Sequence, residues 1–227
     1  MNKGISGRQS LLFLRNVMSV GIYADWFLLW GVPGDSILDY NEILRILPLI
    51  QHLQPPRLFM SIILMRFSTY LENQKDYGIK NVRPWAVYNM VYPDWARVDK
   101  LAYWYIADYP CEANKHPEII REIANGVTSW KKKWKYSKLE MTHFMNTYVI
   151  YDNRDIHKKV KTHILDYRQA KEIMTSCFYG ESESLKWAVS EKLGLVLDSW
   201  YVPLVTAAPG LLLEFEDGLN PEGEALC

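Results

Sequence analysis

The chain has 227 residues, 26 basic against 26 acidic side chains, and 49% hydrophobic and 23% charged residues, the composition of an ordinary globular protein. A net charge of zero excludes a general electrostatic pull toward nucleic acid or an anionic membrane, so partners have to be argued from local sites. No run reaches the roughly 18 uninterrupted apolar residues of a spanning helix, because Asp25 interrupts the best candidate.

The amino-terminal MNKGISGRQS lacks the apolar core and cleavage site of a secretory signal, and a cytoplasmic location is expected. Cys111, Cys177 and Cys227 lie far apart and show no CxxC or zinc-type spacing with the histidines. Separate reduced thiols are therefore expected. Nine Trp and fifteen Tyr can build a large core or line a roomy cleft.

In chain order, Ser6 to Val20 predicts a first helix, with Leu11, Leu14 and Met18 at helical spacing and Gly21 as its stop. Ile22 to Trp30 is apolar and reads as a buried parallel strand. It breaks on Gly31-Val32-Pro33-Gly34, and Asp35 or Ser36 can cap the next helix, whose apolar face is Ile37, Tyr40, Leu44 and Leu47. Pro48 should bend or end that helix. After Pro55-Pro56, Leu58 to Phe67 reads as a second buried strand, giving the βα alternation of a barrel or doubly wound sheet.

Ser68 to Tyr92 reads as a long irregular loop punctuated by Gly78 and Pro84. Its Trp85, Tyr88 and Tyr92 could stack on a peptide, although packing the loop onto the sheet explains them more simply. A helix is expected from Asp94, with Trp95, Val98, Ala102 and Tyr105 on one face. A strongly periodic one follows Pro117, carrying Ile120, Ile123, Val127, Trp130 and Trp134, and its lysines 131, 132, 133 and 135 read as a solvated face.

Phe144 to Tyr151 predicts a strand ended by Asp152-Asn153. Ile156 to Phe178 and Ser182 to Leu193 read as helices, and GLVLDSWYVPLV as two short strands around Asp198-Ser199. Helices followed by a two-stranded wing give the order of a winged-helix-like module, ending in a polar, frayed GLNPEGEALC. Asp152 and Arg154 suggest a surface or interdomain ion pair. The five histidines show no metal-ligand spacing, and no internal repeat is visible.

Five ordered blocks, MNKG, LLWGVPGD, IQHLQPP, LMRFSTY and IKNVRPWAVYNMVYP, resemble the cobalamin-dependent radical S-adenosylmethionine proteins that mature ribosomally made peptides. The resemblance continues more faintly through LAYWYIADY and VIYDNRD. It implies an α/β chain in three parts. Residues 1–93 would be a remnant of the partial radical SAM (β/α) barrel, 94–150 a helical extension, and 151–227 the winged-helix-like module.

In the family, the block at Gly31 corresponds to the fifth barrel strand, whose end borders the adenosine of S-adenosylmethionine, and LMRFSTY to the sixth. The resemblance thus implies cofactor contacts at Leu29, Gly31, Pro33, Gly34, Arg66 and Phe67. Asp35 in place of the usual Glu, Met65 in place of a polar residue and Thr69 in place of a Pro depart from the family's pattern.

S-adenosylmethionine, a four-iron four-sulfur cluster and cobalamin are the family's cofactors, and the cluster needs three thiolates on one short CxxxCxxC loop. This sequence supplies neither that loop nor a cobalamin half, so the chain alone is expected to bind none of the three and to be inactive, with no catalytic and no metal-ligating residues. It would act in peptide modification only with a precursor peptide and a second chain carrying the missing barrel half and the cluster, or be an inactive remnant. The alternative is a non-catalytic precursor-peptide-binding protein or a winged-helix regulator, with DNA disfavoured by the neutral charge and no membrane partner.

Overall fold

The computed structural model describes residues 5–157 and 159–216. The chain is mixed α/β, and the strands among the described residues fall in four small sheets. In order, it runs through α1 (Gly7–Ser19), β1 (Phe27–Trp30), α2 (Ile37–Ile46), a 3-10 turn (Leu47–Ile50), β2 (Leu58–Ser61), β3 (Leu64–Met65) and α3 (Thr69–Glu72). It continues with β4 (Lys80–Pro84), α4 (Val87–Val91), α5 (Val98–Leu101), β5 (Trp104–Asp108), α6 (Glu112–Lys115) and α7 (Pro117–Lys133). The rest comprises β6 (Leu139–Phe144), β7 (Thr147–Asp152), β8 (Lys161–Leu165), α8 (Tyr167–Thr175), α9 (Glu183–Ser190), β9 (Gly194–Leu197), β10 (Trp200–Pro203), β11 (Thr206–Ala207) and α10 (Pro209–Glu216).

The chain divides into two compact units, one of residues 1–25, 45–55 and 126–227 and the other of 26–44 and 56–125. These cut across the three-part division expected from the sequence. The span 94–150 carries β5, β6 and most of β7 beside α7, so it is not uniformly helical.

In the second unit, β1 and β2 pair in parallel, Phe27 opposite Leu58 and Trp30 opposite Ser61. The intervening α2 makes this a strand-helix-strand unit. Helix α2 stops at Ile46 and Pro48 lies in the 3-10 turn, because proline has no N–H for a helical bond. The expected strand Leu58 to Phe67 is broken. After Ser61 the chain leaves β1, and β3 pairs antiparallel with β5 in a separate sheet of order β3-β5-β4. One apolar run thus serves two sheets, because its halves meet partners running in different directions. Phe27 is 43% exposed, so β1 is less buried than its composition suggests.

Two further expectations fail here. The stretch 68–92 contains β4, and the helix expected from Asp94 is one turn, α5, followed by β5. Tyr, Trp and Ile are strand formers, and along β5 exposure alternates with period two. That alternation, with partners on both sides, overrides the helical spacing of Val98, Ala102 and Tyr105.

In the first unit, Ser6 caps α1 in a reciprocal capping box with Gln9, and Gly21 follows its end with φ +73°. Strands β11, β6, β7 and β8 form one sheet, and β9 and β10 a hairpin around Asp198-Ser199. Leu139, Ile150, Ile173, Leu193, Tyr201 and Phe215 are all buried. The span 156–178 is only partly helical, since β8 precedes α8, whose capping box of Asp166 and Gln169 fixes its start. The two strands around Asp198-Ser199 stand where the sequence puts them. The GLNPEGEALC tail, expected to be frayed, and the MNKG block lie outside the described residues.

Candidate functional site

Asp35 sits at the carboxyl end of the β1 turn, the position where parallel α/β units gather ligand groups. Gly31 and Gly34 take φ values of +72° and +78°, which only glycine adopts without strain, so the turn folds tightly enough to bring Asp35 back toward β1. Its Oδ1 accepts the Glu112 N–H at 2.6 Å. Its Oδ2 accepts from the Tyr40 hydroxyl, the Cys111 thiol at 3.3 Å and the Ala113 N–H at 3.4 Å. The Gly31 N–H donates to the Tyr40 oxygen at 2.9 Å, and the Tyr109 hydroxyl donates to the Gly31 carbonyl at 2.9 Å. The turn is therefore stitched to the segment 109–113 from both sides.

The electrostatics follow from this geometry. Burial alone would raise the Asp35 carboxyl, but the bonds from Tyr40, Glu112, Cys111 and Ala113 outweigh it and hold the pKa below the ordinary value. The Cys111 thiol is pushed up by burial and by the neighbouring carboxylate. Burial, with the charges of Cys111 and Asp35, also pushes Tyr109 up to about 12, and burial with the Asp35 bond raises Tyr40. At neutral pH the cluster is one carboxylate surrounded by neutral donors. A raised thiol is a poor nucleophile, so the arrangement favours a latch over covalent chemistry.

Of the residues singled out from the sequence, Leu29 lies on β1, opposite Met60, and Gly31, Pro33 and Gly34 form the turn itself. Arg66 and Phe67 follow β3, in a different sheet. Arg66 donates from Nε to the Ala102 carbonyl at 2.7 Å and from Nη2 to the Asp99 carbonyl at 2.9 Å and the Tyr105 hydroxyl. It thereby pins the bend between α5 and β5. Phe67 is 77% exposed with φ +66°, an unusual backbone state for a bulky residue. The polar atoms of Gly31, Asp35 and Arg66 are thus already engaged by their own unit.

Tyr109, which bonds to Gly31, and Tyr105, which bonds to Arg66, were not visible as partners in the sequence. Their separation from Gly31 and Arg66 along the chain leaves no local signal. The loop aromatics pack as the simpler reading expects. Trp85 and Trp104 have ring centroids 5.7 Å apart, and the Tyr88 hydroxyl accepts the N–H groups of Tyr103 and Trp104.

Beside that packing lies a cleft of about 520 Å³, floored by Arg83 and Ile106 and walled by Asn89, Tyr92, Asp94 and Val98. Met65 stands opposite Trp104, and Arg83 opposite Ile106, so these four share one sheet face. Met65, Trp104 and Ile106 are each at least 40% exposed, and β4 pairs on one side only.

In the first unit, Asp152 and Arg154 form a fully buried ion pair, which corrects the expectation of a surface or interdomain pair. Arg154 reaches Asp152 through Nε at 2.9 Å and Nη2 at 2.6 Å, and also donates to the carbonyls of Leu49 and Lys192. His157 Nε2 lies 3.0 Å from Asp152 Oδ2. Every polar atom here serves the core, so the pair acts as an internal brace.

Among the described residues no group of three or more His, Cys, Asp or Glu side chains is placed to hold a metal ion, and no helix is long and apolar enough to cross a membrane. Against the expectation of separate reduced thiols, Cys177 is disulfide-bonded, whereas Cys111 is a free, buried thiol; Cys227 lies outside the described residues. The chain matches no family model, no curated protein and no solved structure.

Proposed function

We propose that the chain is a non-catalytic component of peptide modification, related to the last part of a radical S-adenosylmethionine protein of the ribosomal-peptide maturation type, and that it holds a peptide in the cleft over β4 and β5. The observation that carries this reading is the conjunction of an exposed aromatic sheet face, a cleft of about 520 Å³ and a one-sided edge strand. An extended peptide can hydrogen-bond to such an edge while its side chains occupy the adjoining pocket. Arg83, Asp94 and Asp99 around the cleft supply charges of both signs for orientation.

The parallel β1-α2-β2 unit with its GVPG turn supports a barrel remnant, and α8, α9 and the β9–β10 hairpin, in that order, support a winged-helix-like module. Cluster, cobalamin and S-adenosylmethionine would be supplied by a partner chain, in the cytoplasm. Cofactor contact by Leu29, Gly31, Pro33, Gly34, Arg66 and Phe67 would then require the partner, because the donors around the turn are engaged within this chain.

The test is fluorescence anisotropy with labelled peptides from short reading frames next to the gene, on the native chain and on Ile106→Glu. Saturable binding that Ile106→Glu weakens about tenfold or more, with an unchanged melting temperature, is the expected result. Failure of every such peptide to bind, or binding indifferent to Ile106→Glu, overturns the reading.

A further inference from the structure

In the first unit, the sheet of order β11-β6-β7-β8 has two unlike faces and two unlike edges. Leu139, Met141, Ile150 and Leu165 turn to one face and are buried. The strand register sets two rows on the other face, Thr142-Val149-Ile164 and Glu140-Tyr151-Thr162. There Ile164 is 73% exposed, and Phe144, two residues beyond Thr142 on β6, is 69% exposed. At one edge, β11 is buried, and its Ala207 N–H donates to the Ser19 hydroxyl of α1. At the other edge, β8 pairs with β7 alone among the described residues.

A sheet edge is ordinarily guarded by a proline, a bulge or a charge that points along it. Strand β8, KTHIL, has no proline, and its register with β7 runs unbroken from Lys161 to Leu165. Its lysine is drawn to its own unit, because Lys161 Nζ donates to Glu191 at 2.6 Å. His163 is turned to the covered face, where its ring meets Trp187 edge-on at 5.2 Å. The free charges stand at the two ends of the strand. Lys159 precedes it and Asp166, the cap of α8, follows it, and both are exposed. The edge is therefore positive where β8 begins and negative where it ends.

We propose that β8 pairs antiparallel with β8 of a second copy of this chain, joining the two sheets edge to edge about a twofold axis. Centred on His163, the pairing uses all five residues of the strand and sets Thr162 opposite the partner's Ile164 on the open face. The two Ile164 side chains then lie on the diagonal, within reach of one another. Lys159 comes within one residue of alignment with the partner's Asp166, and the same contact repeats across the axis. A parallel pairing would set lysine beside lysine and aspartate beside aspartate, so the charges select the antiparallel sense and a strand of this same pattern. The contact is isologous and occupies the open edge of both copies, while β11 is buried at the far edge, so the assembly closes as a dimer instead of growing into a fibre. The inference concerns the unit that does not hold the peptide cleft and stands apart from the peptide reading.

The test is sedimentation velocity on the full chain over a range of concentrations, at low and high salt, joined to amide hydrogen exchange. A five-residue contact is small, so a dimer with a dissociation constant below about 200 µM at low salt is expected. Ile164→Lys changes an exposed side chain and should weaken the dimer about tenfold or more, with an unchanged melting temperature. Asp166→Asn keeps a residue able to cap α8 and should weaken it about threefold at low salt, an effect that high salt erases. Exchange locates the contact on the native chain, since amides of 161–165 should exchange more slowly at high chain concentration than at low. The proposal is overturned if the chain stays monomeric above that concentration, if Ile164→Lys dimerises as well as the native chain, if neither Asp166→Asn nor salt weakens the dimer, or if exchange in 161–165 is independent of concentration.

Discussion

Replacing Asp35 by Asn removes the one negative charge of the turn cluster while keeping an oxygen able to accept the Glu112 N–H. A unit charge 3.3 Å from the Cys111 sulfur opposes thiolate formation by about 5 kcal/mol at an effective dielectric near 20. Partial exposure of Asp35 and the backbone donors around it reduce this, but a little over a quarter of it, about 1.4 kcal/mol, is already a tenfold change in thiolate population. Asp35→Asn should therefore lower the Cys111 pKa and raise its iodoacetamide alkylation rate at pH 8 about tenfold. The assay is the alkylation rate against pH, with Cys111 resolved by peptide mass. It separates two effects: loss of charge moves the midpoint to lower pH, whereas loosening of the turn raises the plateau. A variant whose plateau rises with an unmoved midpoint refutes the electrostatic account, and an unchanged profile refutes the contact itself.

The first unit allows three further predictions. Tyr201 is fully buried and its hydroxyl has no partner among the described residues, so Tyr201→Phe should raise stability by about 1 kcal/mol in urea unfolding; a loss of that size would reveal a missed acceptor. A Cβ on Gly194 would lie 2.4–2.5 Å from the Tyr201 ring and hydroxyl, so Gly194→Ala should cost about 1–3 kcal/mol or more, and a neutral result would mean the ring can move. Asp152→Ala leaves the Arg154 charge buried and unpaired, at a cost of about 3–5 kcal/mol.

The Asp152 carboxyl also sets a pH dependence. Burial would raise its pKa, but the Arg154 bonds and charge overcome this and hold it below the unfolded value of 3.8. Its contribution is thus fully present above that value and lost as pH falls through the lower folded one. Acid unfolding of the native chain should be steeper below pH 4 than that of Asp152→Asn, and coincident curves would contradict the pairing.

The sequence by itself determined those elements whose signals are local. Helix α1 announces its cap at Ser6 and its stop at Gly21, and α7 shows an unbroken helical stripe from Ile120 to Trp130. The β9–β10 hairpin is marked by two short apolar runs around Asp198-Ser199. In each case the period or the cap lies within one element, so no distant partner is needed to see it.

Tertiary structure alone decided the rest. Whether 58–67 is one strand or two depended on where β1 and β5 stand, and β5 itself became a strand because β3 and β4 flank it, against a plausible helical spacing. The Asp35 cluster joins residues 31–40 to 109–113, and His52 bonds to the Leu204 carbonyl, 152 positions away. Hydrogen bonds between residues so far apart leave no periodicity in the sequence. Burial of Asp152 and Arg154 was likewise invisible, since a carboxylate two residues from a guanidinium reads the same on a surface or in a core. Only the surrounding carbonyls of Leu49 and Lys192, brought in by the fold, make the buried charge tolerable.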